Sequence, residues 1–164
     1  MKKLTICAAA VTAIFGSQVH AGPGDVQLVG YVSPVCEVSG LATQLLDFGD
    51  VTQEQTVSID LDMKCNDVDG ATVSLTSSEG GLESDDDEDF ALTYTATFAP
   101  TGLPSFDLNA PGGPGLNDVS SELSYPGSSG LASGVDATLT VQTTEVATWA
   151  GGYSDTLTVN VTSN

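Results

Sequence analysis

The sequence predicts an all-β sandwich, on three observations. Apolar residues fall on every second position over several short segments. Clusters of Gly, Pro, Asn and Asp separate those segments. No segment past the N-terminal leader combines helical periodicity with capping residues.

The clearest strand is Gln55–Cys65, with Val57, Ile59, Leu61, Met63 and Cys65 on one face and Ser58, Asp60, Asp62 and Lys64 on the other. That alternation is the pattern of a strand with one face on a core and one in water. Ala71–Ser77 repeats it with Ala71, Val73 and Leu75. Phe90–Phe98 sets Phe90, Leu92, Tyr94, Ala96 and Phe98 against Ala91, Thr93, Thr95 and Thr97. Val135–Thr143 contributes Val135, Ala137, Leu139 and Val141. The last strand, Tyr153–Val161, contributes Tyr153, Leu157, Val159 and Val161, with Asp155 interrupting it near its start. Leu45–Val51 is a shorter candidate that carries Phe48 and Gly49. Two long connections remain. Ser78–Asp89 holds the run Asp85-Asp86-Asp87-Glu88-Asp89. Ala99–Gly134 is rich in Pro and Gly, with candidate short strands around Phe106–Leu108 and Glu122–Tyr125. A connection of that length is expected to carry structure or function of its own.

The first residues read as an export signal. Lys2 and Lys3 precede the largely apolar Leu4–Phe15, and Val19-His20-Ala21 offers a small-residue cleavage site. The apolar run is too short to span a bilayer as a helix. Removal of Met1–Ala21 leaves 143 residues, enough for one domain. It also leaves Lys64 as the sole cation against 22 acidic residues, a net charge of −21, with no Arg and no His. A chain so poor in cations cannot neutralise phosphates, which excludes nucleic acid and anionic lipid surfaces as partners. The charge reads as a solubility device.

Cys7 lies in the leader, so an exported chain keeps the pair Cys36 and Cys65. An even pair in an exported protein reads as a disulfide. The enclosed loop of about 30 residues corresponds to roughly 3–4 kcal/mol in the chain-entropy account. Two cysteines without histidine make a poor zinc site.

Between leader and first cysteine lies Asp25-Val26-Gln27-Leu28-Val29-Gly30-Tyr31-Val32-Ser33-Pro34-Val35. In an extended strand Val26, Leu28, Gly30 and Val32 share one face. Val29 and Tyr31 make the other face apolar too. The segment is either the first strand of a closed sandwich or a strand destined for a neighbour. A sheet protein that finishes on a strand, and opens with a segment able to pair elsewhere, is expected to be completed by another chain.

These features resemble the pilin subunits of the bacterial chaperone–usher pathway, in the archaic branch that contains the spore coat protein U-like domains. Val26, Leu28, Gly30 and Val32 followed by Cys36-Glu37-Val38 are similar to the family's donor strand and first cysteine. Leu46-Asp47-Phe48-Gly49-Asp50-Val51 resembles its short strand ending in Phe-Gly. Leu61-Asp62-Met63-Lys64-Cys65-Asn66 resembles the strand that returns the second cysteine to the first. Ala150-Gly151-Gly152-Tyr153-Ser154-Asp155-Thr156-Leu157-Thr158-Val159 is similar to the C-terminal strand of the spore coat protein U-type domains. The resemblance covers Ala99–Gly134 poorly.

The resemblance implies an incomplete immunoglobulin-like sandwich that lacks its last strand and is completed by a donated one. It divides the chain into a signal peptide (1–21), a donor-strand extension (22–34) and a pilin-type domain (35–164). Tyr153, Leu157, Val159 and Val161 would form the groove edge that contacts a chaperone. The implied partners are identical or related pilin subunits, a periplasmic chaperone and an outer-membrane usher, with no cofactor. The implied role is a fimbrial subunit, exported through the periplasm to the cell surface, that supports adhesion or biofilm formation. Gly30 would sit where the groove leaves no space for a Cβ.

Two other readings have specific residues behind them. Asp85, Asp86, Asp87 and Asp89 are the candidate ligands for a calcium ion. The run lacks the glycine and closing glutamate of the twelve-residue calcium loop, and clustered charges commonly belong to a solvated loop. Trp149, Tyr125 and Phe106 would be the stacking rings of a sugar-binding, adhesin-like module. An enzyme is not expected. Without His or a free Cys, no Ser-His-Asp or Cys-His arrangement is possible, and carboxylates are too abundant for a glycosidase pair to stand out.

Overall fold

In the computed structural model, which describes residues 26–40, 45–86 and 90–164, the alternating segments become eleven strands. In chain order these are β1 (Cys36–Ser39), β2 (Thr56–Cys65), β3 (Ala71–Ser77), β4 (Leu82–Ser84), β5 (Ala91–Leu92), β6 (Tyr94–Pro100), β7 (Phe106–Ala110), β8 (Val119–Tyr125), β9 (Val135–Thr143), β10 (Tyr153–Ser154) and β11 (Leu157–Ser163). One helical turn, α1 (Ser129–Ser133), precedes β9. All belong to the second of two units into which the chain divides, Met1–Val32 and Ser33–Asn164.

The described part of the first unit, residues 26–32, has no regular secondary structure. Val26, Leu28, Val29, Tyr31 and Val32 are all exposed, Leu28 to 89%. A lone strand has no ladder to close, and it gains one only from a partner. The leader Met1–Ala21 and residues 22–25 fall outside the described residues.

The second unit is an all-β sandwich. Its larger sheet runs in the order β1-β2-β9-β6-β7, and the sheet facing it runs β11-β3-β8. Every pairing is antiparallel. The register sets Ile59 opposite Leu139 and Leu61 opposite Ala137, so apolar faces match across β2 and β9. On the opposing sheet Val73 lies between Leu123 and Val161, and Leu75 between Ser121 and Val159. Met63, Val73, Leu75, Phe98, Leu108, Tyr125 and Leu131 fill the space between the layers and are essentially inaccessible to water. Each large apolar side chain buried in this way contributes about 1.5–3 kcal/mol. Gly70 turns β2 into β3 at φ 97°, where a Cβ would collide with the Tyr125 carbonyl oxygen.

Several elements differ from what the pattern alone predicts. Leu45–Val51 forms no strand over its described length. Asp47 accepts from the Gly49 N–H at 2.8 Å, and Asp50 accepts from both the N–H (3.0 Å) and the hydroxyl (2.7 Å) of Thr52. These local bonds satisfy the backbone as turns and compete with a ladder. The Thr52 hydroxyl, then its N–H, holds the Asp50 carboxyl below its ordinary range.

Phe90–Phe98 is broken at Thr93. β5 pairs with β4 in a small third sheet, β10-β4-β5, while β6 belongs to the large sheet. The C-terminal strand breaks likewise at Asp155-Thr156, sending β10 to β4 and β11 to β3.

The long 99–134 connection contains β7, β8 and α1. The helix is too short to show a period in sequence. It is fixed by Ser128, whose hydroxyl accepts from the Leu131 N–H at 3.1 Å, and by the buried Leu131. Among the described residues no helix is long and apolar enough to cross a membrane.

Candidate functional site: an open groove beside the last strand

β11 is an edge strand. Residues Leu157–Ser163 pair with Ser77–Ala71 of β3 along one side, and no described strand pairs with the other. On the facing sheet β1 is only four residues long and covers just Asp62–Cys65 of β2. Its path is cut short at Gly40, which takes φ 92°. The stretch Thr56–Leu61 of β2 therefore has β9 on one side and no described strand on the other.

Between these two edges the sandwich is open. The groove has a volume of about 630 Å³. Ile59, Leu139 and Val141 line it from the large sheet, Leu157 and Val159 from β11, and Leu46 and Phe48 from the segment after β1. The consequence for burial is direct. Val73, Leu75 and Ser77 on β3 are fully buried, whereas their ladder partners Val161, Val159 and Leu157 are only half-buried. An apolar inner face left partly wet beside an unpaired backbone edge is a surface that favours being covered by a strand.

The groove has a polar end. Asp155 accepts four hydrogen bonds: from Tyr94 Oη at 2.6 Å, Ser77 Oγ at 2.5 Å, the Glu79 N–H at 3.0 Å and the Thr156 N–H at 2.6 Å. Two hydroxyls and two backbone N–H groups thus converge on one carboxyl. Burial, and then the neighbouring Asp155, pushes the Tyr94 phenol well above its ordinary value.

Of the residues singled out in sequence, Tyr153, Leu157 and Val159 line the groove, and Val161 continues the same face of β11. Cys36 and Cys65 are joined as a disulfide and sit opposite each other in the β1–β2 ladder. Val26, Leu28, Gly30 and Val32 are exposed on a segment without regular structure, and a Cβ on Gly30 would meet nothing within 4 Å.

The sugar-stacking trio does not form a platform. Tyr125 is 1% exposed, with its hydroxyl on the Pro104 carbonyl at 3.0 Å. Phe106 is half-buried against Phe98, with ring centroids 5.9 Å apart. Trp149 is exposed, to 68%. Both rings sit at inward-facing positions of β7 and β8, the strands expected around Phe106–Leu108 and Glu122–Tyr125, and so are taken up by the core.

In the acidic run, Asp85 lies against Gly152 and Asp86 against Gly151, while Asp87, Glu88 and Asp89 lie outside the described residues. Among the described residues no three metal-binding side chains gather.

Ile59, Leu139, Val141, Leu82, Tyr94 and Asp155 were not marked as site residues by sequence. Their alternation identifies a core face, but only the sheet order tells which core positions remain uncovered.

No family model matches the sequence, and no curated protein matches it. A chain in a solved structure described as a chaperone–tip adhesin complex, vital for synergistic activation of CFA/I fimbriae biogenesis, matches in fold. The TM-score is 0.50 at 13% identity, over 79% of this chain and 42% of that one. The chain thus spans about two fifths of its neighbour's length. At that identity the likeness is one of fold: this open-sided sandwich shares its architecture with a chain of a fimbrial assembly complex.

Proposed function

We propose that this chain is a structural fimbrial subunit, exported to the bacterial surface, that polymerises by donor-strand exchange and supports adhesion or biofilm formation. The observation that carries the reading is the open groove beside the unpaired edge of β11, in a chain that also carries an exposed, strand-patterned apolar segment. In the fibre, Val26, Leu28, Gly30 and Val32 of one copy fill the groove of the next. They pack between Leu157, Val159 and Val161 on one side and Ile59, Leu139 and Val141 on the other.

The dimensions agree. β11 is 7 residues long, about 23 Å at the usual rise per residue, and Val26–Val32 extended has the same reach. The added strand takes up the free N–H and C=O groups of β11 and covers its apolar face, the mode of recognition known as β-augmentation. Each large anchor that enters contributes about 1.5–3 kcal/mol, so three of them with a backbone ladder make a long-lived junction.

Before assembly the same groove needs a temporary occupant, and the reading assigns that to a periplasmic chaperone, with an outer-membrane usher releasing the subunit into the fibre. The fold likeness to a chain of a chaperone–adhesin complex supports this assignment.

The test is a subunit lacking residues 22–34. It is expected to aggregate, and a peptide covering Asp25–Pro34 is expected to restore a soluble, cooperatively melting protein. A truncated subunit that is a stable monomer and indifferent to the peptide would show the sandwich to be closed already.

A further inference from the structure

We infer that Asn66 is a positioning residue that fixes the backbone at the root of the N-terminal segment and thereby sets the stiffness of the assembled fibre. The inference rests on the donor-strand reading above.

Asn66 follows Cys65 at the end of β2 and meets the incoming chain through three hydrogen bonds. The Val35 N–H donates to Asn66 Oδ1 at 2.8 Å, Asn66 Nδ2–H donates to the Ser33 carbonyl at 2.8 Å, and the Asn66 N–H donates to the Val35 carbonyl at 2.9 Å. Between the two clamped residues stands Pro34, which has no N–H to satisfy, a locked φ, and a steric bar on helical geometry at Ser33. One residue further on, Cys36 is bonded to Cys65. Ser33, Pro34, Val35 and Cys36 are thus each fixed by a different constraint. From Val32 back to Val26 the described chain has no regular structure and is exposed.

The chemistry is particular to asparagine. The site asks one short side chain to accept from one backbone N–H and donate to a carbonyl two residues away. An aspartate has no proton for the Ser33 carbonyl, a serine is too short to bridge both groups, and a glutamine is a methylene too long. In a fibre the donor segment is held by the neighbour's groove. The free link between subunits is then only the chain between that groove and the clamp. With Ser33–Val35 fixed the link shrinks to the Val32–Ser33 junction, and successive subunits hold one orientation.

The experiment uses full-length protein assembled in its native host, as wild type, N66A and N66S. Fibre persistence length is read from electron micrographs, and the temperature at which junctions dissociate in detergent is read on gels. Both variants are expected to form fibres that dissociate at the wild-type temperature but bend several-fold more easily. A merely structural loss would lower the dissociation temperature instead. Variant fibres as stiff as wild type would overturn the role of Asn66 and leave the donor reading intact, as would failure of both variants to yield any exported subunit. Absence of fibres from the wild type would remove the donor reading itself.

Discussion

The Tyr94 hydroxyl donates to Asp155 Oδ2 at 2.6 Å, and through that bond the large sheet holds the point at which the C-terminal strand changes sheets. Ser77 on β3 donates to the same oxygen, so one carboxylate ties β6, β3 and the β10–β11 break together at the end of the groove. This bond explains why an acidic residue interrupts an otherwise apolar strand. Replacing Asp155 by Ala leaves two hydroxyls and two N–H groups without their acceptor. The cost should be about 2–3 kcal/mol, discounted from the sum because water in the groove reaches part of the site. Tyr94→Phe removes a single donor and should cost about 1 kcal/mol. Denaturant midpoints of the two variants with the groove filled by the Asp25–Pro34 peptide check this ordering, and an Asp155→Ala protein as stable as wild type would contradict it.

Alkaline pH should loosen the sandwich through its buried phenols. Burial pushes the Tyr125 phenol up to about 12, and burial together with Asp155 pushes Tyr94 higher still. In the unfolded chain both release their protons near pH 10, whereas in the folded protein they keep them. Their contribution is therefore fully present below about pH 10 and is lost as pH rises from there through the folded values. For Tyr94 alone the slope approaches about 1.4 kcal/mol per pH unit. A denaturation series from about pH 9 to about pH 11.5 should show the fall, and Tyr94→Phe should flatten part of it.

The disulfide pins β1 to the end of β2, and β1 is too short to hold its place by four residues of ladder alone. The loop it closes spans a sequence separation of 29. Cys36→Ser with Cys65→Ser should therefore lower stability by about 3–4 kcal/mol. Thiol labelling of denatured, unreduced mature protein should find no free cysteine, and detection of two would refute the bridge.

Much of this architecture is legible in the residues. Val57, Ile59, Leu61, Met63 and Cys65 alternate so regularly that β2 can be bounded within a residue, and with Cys7 set apart in the leader-like start, Cys36 and Cys65 leave one bridge to draw. What sequence does not carry is the third dimension of the edges. Ile59 and Met63 read identically along β2, yet Met63 has Val38 of β1 beside it in the ladder while Ile59 faces the groove, because β1 stops at Ser39. Leu45–Val51 has the composition of a short strand, but Asp47 and Asp50 accept from backbone N–H groups two residues on and turn the chain instead. The short strands at Phe106–Leu108 and Glu122–Tyr125 are legible despite the Pro and Gly of 99–134, but which way Phe106 and Tyr125 face is not, because that depends on the sheets that β7 and β8 join.

The donor assignment makes the sharpest prediction. Leu28→Asp would carry an unpaired charge into the apolar groove, at a cost of several kcal/mol or the ejection of the strand. Gly30→Leu would add bulk where the inserted strand passes closest to the core, an overpacking penalty of about 1–3 kcal/mol. Neither side chain is buried in the chain's own sandwich: Leu28 is exposed, and Gly30 has open space around its Cα. Both variants should therefore fold, be exported and be recovered bound to the chaperone, while surface fibres are lost. The even face is tested against the odd one by Val29→Asp, which should assemble nearly as wild type if Val26, Leu28, Gly30 and Val32 face the groove. Normal fibres from Leu28→Asp and Gly30→Leu would end the donor assignment. Normal fibres from Leu28→Asp combined with none from Val29→Asp would shift the register by one residue and place Val29 and Tyr31 in the groove instead.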